Sequence, residues 1–175
     1  ERARQANAFT TDQKKRMENI KNEYSLEAIS ENSWNLIPYS VWRFEHKSIV
    51  VQPGQPVWST FSFKNENKGQ PLQFILSTVN ASSSQITIEI DDFKKNELKI
   101  VLAPGQYLKY MGGMEAILYD NTWHKIKSVP MDPEQWNIGE GDHKIKVDCQ
   151  FSDKENASLK LELKTAGTPE LVSMK

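Results

Sequence analysis

The chain has 175 residues, 38% of them hydrophobic and 26% charged, which is enough apolar material for a core and ordinary for a water-exposed surface. Twenty-two Lys and Arg balance 23 Asp and Glu for a net charge of −1, so a general electrostatic grip on nucleic acid or an anionic membrane is excluded. No apolar stretch approaches the roughly 18–20 residues of a membrane-spanning helix, and a single cysteine, Cys149, excludes an internal disulfide.

The chain opens on Glu1-Arg2-Ala3-Arg4, which reads as a processing boundary or the interior of a longer polypeptide, with no charged-then-apolar signal segment. Thr10-Thr11-Asp12-Gln13 fits a capping box, and Met17, Ile20 and Tyr24 follow at helical spacing. The pattern predicts a helix from about Thr11 to Ser30, with a break near Ser25 as an alternative, whose narrow apolar stripe needs a docking seat. Asn32-Ser33 ends it, Pro38 forbids its return, and Trp34 is expected in the linker, pinning the helix. Residues 1–37 are therefore read as a helical segment and 38–175 as a separate domain.

From Tyr39 the period changes to two. Trp42 and Phe44 alternate with Arg43 and Glu45, and Ile49 to Val51 is a short apolar run before a Pro-Gly turn. In Val57 to Lys64, Val57, Ser59, Phe61 and Phe63 share one face, and Trp58 falls with Thr60, Ser62 and Lys64 on the polar face. Further strands are predicted around Leu72–Leu76, Ile86–Ile90, Leu98–Leu102, Tyr107–Tyr110, Glu115–Tyr119, Trp123–Val129, His143–Phe151, Leu159–Leu163 and Glu170–Met174. Gly112-Gly113 reads as a tight turn or bulge, and Pro130 to Gly141 as a loop holding Trp136. About ten short strands with turns about every 8–12 residues predict an all-β, antiparallel, jelly-roll-like β-sandwich with the N-terminal helix docked on it.

The reactive side chains form no recognisable catalytic or metal motif. His46, His124 and His143 have no partner at metal-ligand spacing; His143 reads as a hydrogen-bonded structural histidine, and His124 is the one placed to meet a ligand. Asp91-Asp92 are expected to be solvated turn carboxylates, with a cation site as the sharper alternative. Cys149 lies in line with Ile145, Val147 and Phe151 and reads as a buried structural thiol. There is no nucleophile elbow and no phosphate loop. No metal, cofactor or catalytic residue is assigned, and the chain is read as not an enzyme. A small enzyme whose site assembles only in the fold stays open as an alternative.

The aromatics carry the functional expectation. Trp58, Trp123, Trp136 and Tyr119 are the candidate ligand-binding residues, with Tyr110 as a further candidate. Sugar rings lay axial C–H groups on aromatic faces while neighbouring polar groups bond the hydroxyls. Two of these tryptophans have an alternative reading, Trp58 covered by the helix or a long loop and Trp136 plugging an end of the sandwich.

The stretch Leu161-Glu162-Leu163-Lys164-Thr165-Ala166-Gly167-Thr168-Pro169-Glu170-Leu171-Val172 resembles a segment found near β-sandwich domains of large bacterial glycoside hydrolases. Tyr24 to Pro38 is similar to the end of a helical region preceding such a domain. The resemblance implies a non-catalytic accessory sandwich, attached to or cut from an exported, polysaccharide-degrading enzyme, with a polysaccharide or glycan and the catalytic domain of the same polypeptide as partners. A structural domain that packs on a catalytic domain without binding sugar is the competing expectation.

Overall fold

Alternation decides the core. In Ser83–Ile90, Ile86, Ile88 and Ile90 are buried while Thr87 and Glu89 face outward, and in Ser158–Ala166, Leu159, Leu161 and Leu163 are buried while Lys160 is exposed. The structure is a computed structural model that describes residues 23–30, 33–48, 58–153 and 155–173. It is built almost wholly from antiparallel β-sheets, and residues cluster into two compact units, 1–41 with 164–175 and 42–163.

In the first unit, β1 (Glu23–Ser30) pairs antiparallel with β2 (Ser33–Lys47), setting Tyr24 opposite Pro38 and Leu26 opposite Leu36. The expected helix is therefore overturned over Glu23–Ser30, and its remainder lies outside the described residues. Tyr24, Leu26 and Ala28 also alternate with Ser25 and Glu27, a period of two that pairing with β2 stabilises and that a lone narrow helical stripe does not match. Trp34 lies within β2, buried with Leu36, and not in a linker. A last strand, Glu170–Ser173, pairs with the same part of β2, with Leu171 opposite Asn35. The Lys164 ammonium lies 5.0 Å from the centre of the Tyr39 ring, and the Gly167 N–H donates to the Pro38 carbonyl at 2.7 Å.

The second unit holds the larger core. Its strands continue as β3 (Ser59–Asn65), β4 (Gln70–Pro71), β5 (Gln73–Val79), β6 (Ser83–Ile90), β7 (Lys94–Leu98), β8 (Tyr107–Tyr110), β9 (Glu115–Tyr119), β10 (Lys125–Pro130), β11 (Asn137–Ile138), β12 (Gly141–Phe151) and β13 (Ser158–Ala166), so that Glu170–Ser173 is β14. One sheet here runs β2-β13-β5-β8-β9-β10, and a four-stranded sheet runs β3-β12-β6-β7. Phe74, Leu76, Leu108 and Leu161 of the first sheet and Phe63, Ile88 and Ile145 of the second belong to one buried cluster. Trp42 of β2 meets Phe63 of β3 at 4.3 Å and Phe44 stacks on Phe61 at 4.5 Å.

Two stretches depart from expectation. Leu98 to Leu102 was expected as a strand; β7 instead ends at Leu98, and the chain crosses to a single bridge between Ser83 and Leu102, although Ile100 and Leu102 stay buried. The 130–141 loop contains a turn of helix, α1 (Pro133–Trp136), capped by the Asp132 carboxylate accepting from the Glu134 N–H, followed by β11 paired to β4. At Gly112-Gly113 the expected turn is observed, with Gly112 at φ +90° and a would-be Cβ only 3.3 Å from Pro71 Cβ, so this position favours glycine.

Candidate functional site

The turn between β9 and β10 carries the most exposed tryptophan with ring partners. The Asp120 carboxylate accepts from the His124 N–H, the Thr122 N–H and the Thr122 hydroxyl at 2.8–2.9 Å, and these bonds hold its carboxyl below the usual carboxylate range. The Thr122 hydroxyl spends its single hydrogen on Asp120, so His124 Nδ1–H donates to it at 2.7 Å. The backbone closes with Trp123 N–H donating to Asp120 C=O and Asp120 N–H to His124 C=O. Trp123 is thereby held in the left-handed region at φ +62°, an uncommon conformation for a bulky residue.

That conformation folds the indole onto the outer face of the β5-β8-β9 portion of its sheet. Its ring stacks on Tyr107 with centroids 4.7 Å apart and planes 10° from parallel, and meets Tyr119 at 5.4 Å and 57°. Tyr107 and Tyr119 are register partners on neighbouring strands. With one face covered, Trp123 remains 50% exposed. In the next row of the same face, Lys109 lies opposite Ile75 on one side and Ile117 on the other. Lys125 stands opposite Tyr119 at the start of β10. Beside Tyr107 a shallow groove of about 400 Å³ is lined by Arg43, Glu45, Ile75, Lys160 and Glu162, among others, with Arg43 3.7 Å from the Glu162 carboxylate.

The structure brings Trp123 and Tyr119 together and adds Tyr107, which the sequence reading did not single out. Parity was the available signal: Tyr107 and Lys109 alternate with buried Leu108 and Tyr110. Trp136 does not join them. It is 2% exposed, packed against Phe74 at 4.9 Å and Tyr110 at 5.9 Å, so its ring is core and has no free face. Tyr110 is fully buried, donates its hydroxyl to the Gly113 carbonyl, and burial raises its pKa. Trp58 is half-buried, one residue before β3 of the other sheet, and lies apart from the Trp123 cluster.

Other reactive groups are bonded into the frame. His143 Nε2 donates to the Gly139 carbonyl and its Nδ1 lies 2.6 Å from Asp91 Oδ2, so neither ring nitrogen faces a nucleophile. Asp91 also accepts the Lys144 N–H, and Asp92 pairs with Lys144 and Lys146. Asp91-Asp92 are therefore anchors on β12, both in left-handed backbone, and not simply solvated turn carboxylates. Burial pushes the Cys149 thiol up to about 12, which keeps it protonated and unreactive. His46 is 3% exposed, with Nδ1 2.6 Å from the Ser59 hydroxyl; burial lowers its pKa against the opposing pull of Asp148. Among the described residues no group of three or more His, Cys, Asp or Glu is placed to hold a metal ion, and no helix is long and apolar enough to cross a membrane.

Comparisons with protein-family models, with curated proteins and with solved structures find no match to this chain.

Proposed function

We propose that the second unit is a jelly-roll-like β-sandwich that binds carbohydrate without catalysing its breakdown, through the Trp123, Tyr107 and Tyr119 platform. It serves as an exported accessory module of a polysaccharide-degrading enzyme. The observation that carries this reading is Trp123. A left-handed backbone costs a bulky residue roughly 1–2 kcal/mol, whereas Gly or Asn would make the same turn at little cost. The turn instead presents a half-exposed indole, backed and oriented by two tyrosines. A flat aromatic with one open face, beside a groove of alternating Arg, Glu and Lys, suits a pyranose ring and its hydroxyls.

The test is a titration of intrinsic tryptophan fluorescence with a panel of neutral and acidic soluble polysaccharides. At least one member is expected to produce a saturable change that the Trp123→Ala variant loses. A flat response to every member, from a protein shown to be folded, would sink the reading.

A second reading, an interaction domain that docks on its catalytic neighbour, draws on other exposed apolar side chains. Met111 and Met114 flank the β8–β9 turn and Phe93 caps the β6–β7 turn, and all three are largely exposed. The two readings are compatible on one module, and only the first needs Trp123.

A further inference from the structure

Resting on the carbohydrate reading, we propose that the ligand is an acidic polysaccharide whose anionic group is met by Lys109 and Lys125. Lys109 sits two residues along β8 from Tyr107 on the same face, about 7 Å away at strand spacing. Its register neighbours are Ile75 and Ile117, which offer it no countercharge. Lys125 stands opposite Tyr119, on the other side of the aromatic cluster. Among the described residues, neither Lys109 nor Lys125 pairs with a carboxylate.

One carboxylate shares this face, Glu115, exposed two residues from Ile117 on β9 and diagonal to Lys109; the remaining acidic groups are engaged or distant. Asp120 is consumed by the backbone and hydroxyl of its own turn, and Glu162 faces Arg43. Glu45 lies at the far lip of the groove, beyond β13 and β5 in the strand order. Lys109 is half-buried, with its stem between Ile75 and Ile117 in register, while Lys125 is exposed, so both present their ammonium groups to the surface. Lys125 is the cross-strand neighbour and Lys109 the diagonal neighbour of Tyr119, so a sugar ring stacked on Trp123 lies within side-chain reach of both. A carboxylate or sulfate there gains a hydrogen bond and an opposite charge from each ammonium, whereas a neutral hydroxymethyl gains only the hydrogen bond. A net charge of −1 for the whole chain makes such binding local to this face and not a property of the overall field.

The experiment titrates the full chain with polygalacturonate, alginate, hyaluronan and chondroitin sulfate. Each is paired with its carboxyl-reduced or desulfated form, and a single-stranded oligodeoxynucleotide is included. At least one acidic polymer is expected to bind about tenfold or more tighter than its neutral form, and more weakly as salt rises through 0.1 M. The Lys109→Gln/Lys125→Gln variant is expected to lose about fivefold or more of that affinity while keeping its thermal midpoint. Equal affinity for the neutral forms, or indifference to the double substitution, overturns the acidic ligand and leaves the carbohydrate reading standing. No binding to any polysaccharide overturns both, and saturable binding to the oligonucleotide that needs Trp123 assigns the platform to another ligand.

Discussion

Trp123 lies flat on Tyr107, 10° from parallel at 4.7 Å, from a backbone at φ +62°. The contact and the conformation oppose each other: stacking and partial burial favour the indole, and the left-handed backbone disfavours any residue with a Cβ. Two substitutions separate the effects. Trp123→Ala keeps the backbone cost and loses the ring; Trp123→Gly loses both. The glycine variant is expected to be more stable than the alanine variant by about 1 kcal/mol, or about 2–4 °C in thermal midpoint. Both are expected to lose glycan binding, by about 1–3 kcal/mol if the ring behaves as an interface anchor. An alanine variant as stable as the glycine variant would show that the turn carries no such cost.

Trp136 packs inside the core against the Tyr110 end of β8. Its ring fills the space between Phe74 and Tyr110, and the Leu72 N–H donates to its carbonyl at 2.8 Å. Trp136→Ala is expected to cost about 3–5 kcal/mol in denaturant unfolding, from lost burial and the cavity left behind. Trp136→Phe is expected to recover a good part of this. If the alanine variant unfolds at the wild-type denaturant midpoint, Trp136 is not a core residue.

Cys149 provides a direct reading of burial. With its thiol pushed up to about 12, the thiolate fraction at pH 8 is on the order of one in 10⁴. Alkylation by iodoacetamide is expected to be very slow in the native protein and complete within minutes in denaturant. Prompt stoichiometric labelling of native protein at pH 8 would contradict the raised pKa of this partly buried thiol.

The legible parts of this fold are those written by period two alone. Ile86, Ile88 and Ile90 and Leu159, Leu161 and Leu163 announce both strand and core-facing side, because local alternation and tertiary burial agree. Residues Glu23–Ser30 were misread because Tyr24 fits a helical stripe with Met17 and Ile20 and also an alternation with Leu26 and Ala28. Pairing with β2, which local spacing does not reveal, decides between the two. Trp136 reads in the sequence both as a ligand contact and as a plug, and its burial matches the plug; the local device was not legible, because Met, Asp, Pro, Glu and Gln read as loop, yet Asp132 and Pro133 start a turn of helix. The platform was half legible. Parity places Tyr107 and Tyr119 on the outer face, but the ring contact of Trp123 arises from a left-handed turn wired by Asp120, which alternation does not encode.

His46 gives the pH dependence a sign. It is buried between the Ser59 hydroxyl and the Phe151 ring, 5.8 Å away, and burial lowers its pKa below the ordinary 6.5 although Asp148, 3.8 Å from Nε2, pulls the other way. About a unit above pH 6.5 and beyond, the ring is neutral in folded and unfolded chains alike, so it adds no pH slope there. As pH falls below 6.5 the unfolded chain takes up a proton that the folded chain resists. The unfolded state then binds more protons, and stability falls with pH until the folded pKa is reached, below which the slope vanishes. Denaturant midpoints measured from pH 7.5 to pH 5 are expected to decline for the wild type and to decline less for His46→Gln, whose amide is neutral throughout. Its amide can still face the Ser59 hydroxyl, so a loss of slope without a large loss of stability at pH 7.5 assigns the slope to the imidazole. Parallel curves for the two proteins would mean that the proton uptake belongs to other groups.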